Sequence, residues 1–457
     1  MNIAKTLGAV LFAACLSTNS SAELLAGDHD SVTISGFGAF QAGQLERGYY
    51  LPSQASYSAL VSHRWDESLM SRLCATVQIG SSLKINLGTE YDYDFNVFYP
   101  EAGWEFSVPL YNYYGNMIIH RADMEYDMFS SRNTSVMIQL GYFPFKYNPQ
   151  ATNLGEYLFR SEIYPNMIVN EFEFPETRLL GINLEAATRG EISGIGIPFH
   201  IRQDIIVTSE TTYPPQDLSL AYLSNADFFH DAFELGAGIE AERLLSVDPL
   251  RTTPHIASDT ISVNQVTGDS SFYTFAGTKI MARTCFDPKK VLPMPFLGKE
   301  DLKIYGEYAI LGLKDYPRYY NNISERMPVM FGFDIPTFKF LDVLAFEAEY
   351  YTSPYFGNNS QTLYDGYDYP VPIPDPNWTD EEYNTDHGLV TTTAHRWKWS
   401  LYGSKAFGKN FRIVAQAARD HSRFQTSLYD QPYYLFDGDV TVGAKDWYYL
   451  FRAVWSF

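Results

Sequence analysis

The sequence predicts an all-β fold, a transmembrane antiparallel up-and-down β-barrel of about sixteen strands, within a range of roughly fourteen to eighteen. Three observations carry that prediction. Strand-like segments of alternating polarity follow one another along the chain, and most have ten or more residues. The connections between them alternate between short and long. Outside the first two dozen residues, no apolar run approaches the ~20 residues of a membrane-spanning helix. A closed barrel is the other structure that satisfies its backbone in lipid.

Taken in order, the predicted strands are 31–42, 68–80, 83–96, 114–128, 134–146, 178–189, 197–209, 217–227, 232–245, 271–285, 299–314, 327–336, 341–354, 395–407, 409–422 and 446–457. In 83–92, Leu83, Ile85, Leu87, Thr89 and Tyr91 share one parity, and Lys84, Asn86, Gly88, Glu90 and Asp92 the other. In 233–242, Phe233, Leu235, Ala237, Ile239 and Ala241 oppose Glu234, Gly236, Gly238, Glu240 and Glu242. Successive side chains on a strand point to opposite faces, so each segment makes one apolar and one polar surface. Globular strands usually have about five or six residues. A tilted strand crossing hydrocarbon needs about ten.

Loop order separates a barrel from a soluble sandwich. Connections 43–67, 97–113, 147–177, 246–270, 355–394 and 423–445 are long; those near 80–82, 129–133, 190–196, 337–340 and 408 are short. Segments 210–216 and 286–298 blur the contrast. Short turns on one side and long loops on the other are the outer-membrane barrel pattern.

The ends of the chain fit the same class. Residues 1–22 combine Lys5, an apolar run from Leu7 to Leu16 and a Ser20-Ser21-Ala22 end, which reads as a secretory signal cleaved after Ala22. Lipidation at Cys15 is the alternative. Residues 23–457 then form one barrel domain. In the last segment Trp447, Tyr449, Phe451, Ala453, Trp455 and Phe457 share a parity, with Phe457 terminal. This strand resembles the C-terminal aromatic strand of Gram-negative outer-membrane proteins, and the chain as a whole resembles porins. That resemblance implies an outer-membrane location, outer-membrane lipid as surroundings, and recognition of Trp455 and Phe457 by the barrel-assembly machinery. By analogy with porins it also makes a homotrimer plausible.

The polar parity would face a lumen. Acids assigned there include Glu90, Asp123, Asp204, Glu240, Glu307, Glu347 and Glu349; bases include Lys84, Arg202, Lys279, Arg283, Lys398, Arg412 and Arg452. About sixteen strands enclose more space than side chains fill, so an aqueous channel with solvated charges follows. Its acidic excess should favour cations. The expected function is passive diffusion of small hydrophilic solutes, with Glu90, Glu240, Glu307, Glu347, Glu349 and Arg412 among the pore lining. Paired structural charges are the competing reading.

Two connections stand out. Segment 147–177 resembles in position the loop that many porins fold inward as a constriction, with Glu156, Arg160 and Glu162 as polar lining; a loop covering the outside is the alternative. Segment 355–394 carries Asp365, Asp368, Asp375, Asp380, Glu381, Glu382 and Asp386 without any Lys or Arg. Its carboxylates suit hard cations, but no recognised calcium-loop spacing appears, which favours a solvated acidic rim.

Other functions find little support. A formal charge of -21 argues against nucleic acid. No P-loop, Gly-x-Ser-x-Gly elbow, dinucleotide fingerprint or His-Glu-x-x-His occurs, so no enzyme, cofactor or metal site is expected. Asp420, His421 and Ser422 are consecutive and cannot converge on a regular strand. Cys74 and Cys285 read as free, buried thiols. The competing functions are a barrel that binds a polysaccharide or envelope partner through its acidic loops, and a hydrophobic-compound transporter, for which the chain before residue 31 leaves little room for a plug.

Overall fold

The computed structural model describes residues 22–26, 30–50, 59–61, 63–94, 114–159, 177–192, 194, 196–209, 218–245, 259–263, 270–274, 277–313, 323–351, 397–419 and 445–457. Residues 1–21, within the expected signal, and all of 355–394 lie outside them.

Twenty strands follow in chain order: β1 Ala22–Ala26, β2 Ser31–Tyr50, β3 Ala59–Val61, β4 Arg64–Ile79, β5 Leu83–Asp94, β6 Tyr114–Ser130, β7 Thr134–Phe145, β8 Thr177–Ile192, β9 Ile197–Ser209, β10 Leu218–Phe228, β11 Phe233–Leu245, β12 Asp259–Val263, β13 Ser270–Thr274, β14 Gly277–Phe286, β15 Ile304–Ile310, β16 Val329–Asp334, β17 Val343–Tyr350, β18 Trp397–Phe407, β19 Phe411–Arg419 and β20 Trp447–Ser456. All except β1, β3, β12 and β13 form the barrel: sixteen strands, each antiparallel to its neighbours, with β20 returning to pair with β2. Among the described residues, the ring itself has no open edge.

The seam is made by the two ends of the barrel. Phe457 N–H donates to Gly36 O at 3.0 Å, and Gly36 N–H to Phe457 O at 3.2 Å. A Cβ on Gly38 would stand 2.6 Å from the Trp455 ring, so only glycine lets the indole lie flat against β2.

Side-chain parity sorts as expected. Leu87 is 55% exposed on the outer face of β5, and Phe451 is 57% exposed on that of β20. Glu240, facing inward from β11, is 0% exposed. An apolar belt of this extent on the outside of a closed sheet calls for lipid as its solvent.

Three details differ from the sequence reading. Ser270–Thr274 pairs with Asp259–Val263 as a separate hairpin, and β14 begins at Gly277, because the alternation runs through both segments without marking the division. Strand β15 is only Ile304–Ile310, since Asp301 accepts Gly298 N–H at 2.7 Å, Phe338 N–H at 3.1 Å and Thr337 Oγ1–H at 3.2 Å, which turns the preceding residues. The interior is not uniformly wet. Phe143, Tyr147, Leu154, Tyr157, Leu158, Phe159, Ile206, Leu223, Tyr305 and Met330 form an apolar cluster on the lumen side. Cys285 belongs to that cluster, whereas Cys74 is half-buried; neither is in a disulfide.

Candidate functional site

The interior cluster forms because residues 146–159, following β7, run into the barrel and lie against the inner faces of β9, β10 and β14–β17. Apolar side chains account for part of the contact, and two wall carboxylates for the rest. Glu307 on β15 accepts hydrogen bonds from Tyr147 OH at 2.6 Å, Asn148 Nδ2 at 2.8 Å, and the backbone N–H groups of Glu156 and Tyr157, both at 2.9 Å. Glu347 on β17 accepts from Thr152 N–H at 2.6 Å and Thr152 Oγ1 at 2.8 Å. It also accepts from Asn153 and Leu154 N–H at 2.9 Å and from Tyr305 OH at 3.0 Å. Glu349 accepts from Tyr157 OH at 2.8 Å.

The backbone conformation makes this possible. Successive N–H groups in a turned segment form an anion-binding concavity, and carboxylates make the stronger, charge-assisted bonds. Gly155 has φ +94°, and a Cβ there would meet Met330 at 2.8 Å and the Glu307 carboxylate at 3.0 Å. Glu156 holds the segment's shape by accepting Asn148 N–H at 2.6 Å. Burial, and next the Glu307 charge, push its carboxyl up to about 8.

A second inward cluster sits on β4, β5, β6 and β8. Glu90 receives Arg72 Nε at 2.8 Å and Nη2 at 2.5 Å, together with Arg178 Nη2 at 2.9 Å. His120 Nδ1 lies 3.9 Å away, and Arg72 stacks over Phe37 at 5.2 Å. Beside it, Asp123 accepts from Asn86 Nδ2 at 3.1 Å and Gln139 Nε2 at 2.9 Å, and pairs with Arg121.

The structure therefore brings Glu156, Glu307, Glu347 and Glu349 together. Glu90 stands on the arginine-bearing wall, and Glu240 faces inward 4.0 Å from Lys279. Arg412, near the short-turn end of β19 opposite Val454, is exposed. Arg160 and Glu162 lie outside the described residues, as do Asp365, Asp368, Asp375, Asp380, Glu381, Glu382 and Asp386. Trp455 and Phe457 are at the seam. The carboxylates that grip the inward segment are enclosed and hydrogen-bonded, not solvated as in the expected water column. The sequence reading missed Arg72, Arg178, Tyr147, Thr152 and Tyr305. Arg72 shares its parity with Met70, an apolar neighbour that hides it, while Arg178 at the start of β8 is visible as an isolated inward base.

A closed ring, an apolar exterior and a segment folded into the lumen define a porin-like outer-membrane barrel. No protein-family model matches the sequence, and no curated protein does. Among solved structures, the chain is similar to OprB of Pseudomonas putida at high pH (8% identity, 96% of this chain and 100% of that one, TM-score 0.45). It is also similar to the outer-membrane channel DcaP of Acinetobacter baumannii (12%, 95% and 100%, 0.40) and to Salmonella typhi OmpF with daunomycin (11%, 95% and 100%, 0.38). Likeness at this level adds nothing to the strand pairing, which establishes the barrel by itself.

Proposed function

We propose that the protein is a passive outer-membrane channel for small hydrophilic solutes, cation-preferring, with residues 146–159 setting its width. One observation carries the reading: Glu307 and Glu347 hold that segment through neutral N–H and O–H donors. Hydrogen bonds from neutral groups stabilise a carboxylate without cancelling its charge, so the lumen keeps a negative field. The stretch 355–394, acidic and without Lys or Arg, adds further negative charge to the chain. In the same reading, Trp455 and Phe457 serve barrel assembly, residues 1–22 direct export, and the working unit is a homotrimer.

The test is planar-bilayer conductance of the full mature protein across a salt gradient. Discrete steps with a cation-sign reversal potential are expected, and the double variant Glu307→Gln, Glu347→Gln should enlarge the steps while reducing selectivity. Silent membranes or an anion-sign potential would sink the proposal.

A further inference from the structure

Beneath the inward segment, at the short-turn end of the barrel, lies a cavity of about 470 Å³, within the usual range for small-molecule sites. Charges of both signs line it. Asp227 on β10, Asp231 in the following turn, Glu234 on β11 and Asp287 just after β14 supply acids, and Arg202 on β9, Arg283 on β14 and Lys290, Lys299 and Lys303 between β14 and β15 supply cations. Lys146, Tyr147, Pro149 and Gln150 contribute to its lining from the inward segment. Gln150 also ties the segment to the wall, donating through Nε2 to Glu234 at 3.1 Å and accepting from Arg283 Nη1 at 3.5 Å.

Some of these charges are already committed. Glu234 pairs with Arg283 at 3.2 Å, Asp227 meets His200 Nδ1 at 3.2 Å, and Lys303 and Lys299 both reach Glu300. Asp231 and Lys290 are different. Each is exposed, lines the cavity, and has no side-chain partner among the described residues. Asp231 is also held in place by its backbone: Phe229, His230 and Asp231 have φ of +54°, +60° and +64°, a left-handed run that costs energy in residues with a Cβ.

We infer that this cavity binds small zwitterionic solutes, of the class of free amino acids and short peptides, with the ammonium toward Asp231 and the carboxylate toward Lys290. The selectivity follows from the two charges. A pure anion gains from the lysines but is opposed by the acids, a pure cation meets the reverse, and a neutral solute gains from neither. A dipolar solute gains from both. The inference rests on the channel reading for its purpose, since a solute in the cavity lies directly under the segment that narrows the lumen.

Binding is measured by equilibrium dialysis on the detergent-solubilised full mature protein, with glycylglycine, acetate and ethylammonium as probes. Glycylglycine should bind about tenfold more tightly than either half-molecule, as two partly exposed charge contacts allow. Asp231→Asn keeps a residue suited to the left-handed region, and Lys290→Gln changes an exposed side chain; each should weaken glycylglycine about fivefold. Equal binding of all three probes, acetate binding as tightly as glycylglycine, or unchanged binding in both variants overturns the inference. The assay needs no membrane, so the two readings fail separately. Intact binding with silent bilayers removes the channel and leaves the site; open channels without dipeptide binding remove the site alone.

Discussion

Glu90 on β5 and Glu347 on β17 are both 0% exposed and both face the lumen, yet different chemistry surrounds them. Glu90 lies between two guanidinium groups, Arg72 and Arg178. Glu347 lies among backbone amides and hydroxyls of Thr152, Asn153, Leu154 and Tyr305. Burying a carboxylate is costly unless its hydrogen-bonding capacity is met, and both environments meet it. The first leaves excess positive charge on its wall; the second leaves the carboxylate's own charge uncancelled. The first knits together strands of the ring itself, while the second fastens a separate segment to the ring. Equal burial therefore conceals two jobs, one within the barrel wall and one governing what occupies the lumen.

Substitutions should separate those jobs. Glu90→Gln removes the charge between two enclosed arginines and should cost about 3–5 kcal/mol of barrel stability, the usual penalty for orphaning a buried charge, read as a lower urea midpoint of the detergent-refolded barrel. Glu347→Ala should cost about 3 kcal/mol of segment docking by stranding several N–H donors. Its signature is new protease cleavage within 146–159 and larger conductance steps, with the urea midpoint nearly unchanged. If both variants lowered the midpoint alike, the distinction between wall and segment would be lost. The smallest effect concerns pH. Glu156 has a raised folded pKa, so its contribution to docking is complete below its ordinary value near 4.5 and is lost as pH rises through about 8. The neighbouring charges are Glu307, which adds to the shift, and Lys146, which opposes it. Protease protection of 146–159 should fall as pH rises from about 5 to about 8, and Glu156→Gln should flatten the profile.

Much of the ring was legible because a strand's polarity period is local. Residues 197–209 are the predicted and the observed limits of β9, and every other barrel strand overlaps its predicted segment. The exceptions have causes that the polarity period does not carry. Asp301 shortens β15 by bonding to Phe338, 37 residues further on, which no alternation reveals. The hairpin of β12 and β13 continues the polarity pattern of its neighbours, so its separateness was invisible. In the candidate site, Glu156, Glu307, Glu347 and Glu349 were recognisable as inward carboxylates. Their joint grip on one segment was not, since Thr152 and Glu347 are 195 positions apart.

By itself the sequence determined that this chain closes into a ring with its apolar face outward, because alternation, strand length and turn placement are written residue by residue. Only the tertiary structure decided which acids hold the segment, which one is clasped by arginines, and which face the cavity below. Those assignments depend on donors brought together across the lumen, where burial strengthens each hydrogen bond and leaves no water to substitute for a missing one.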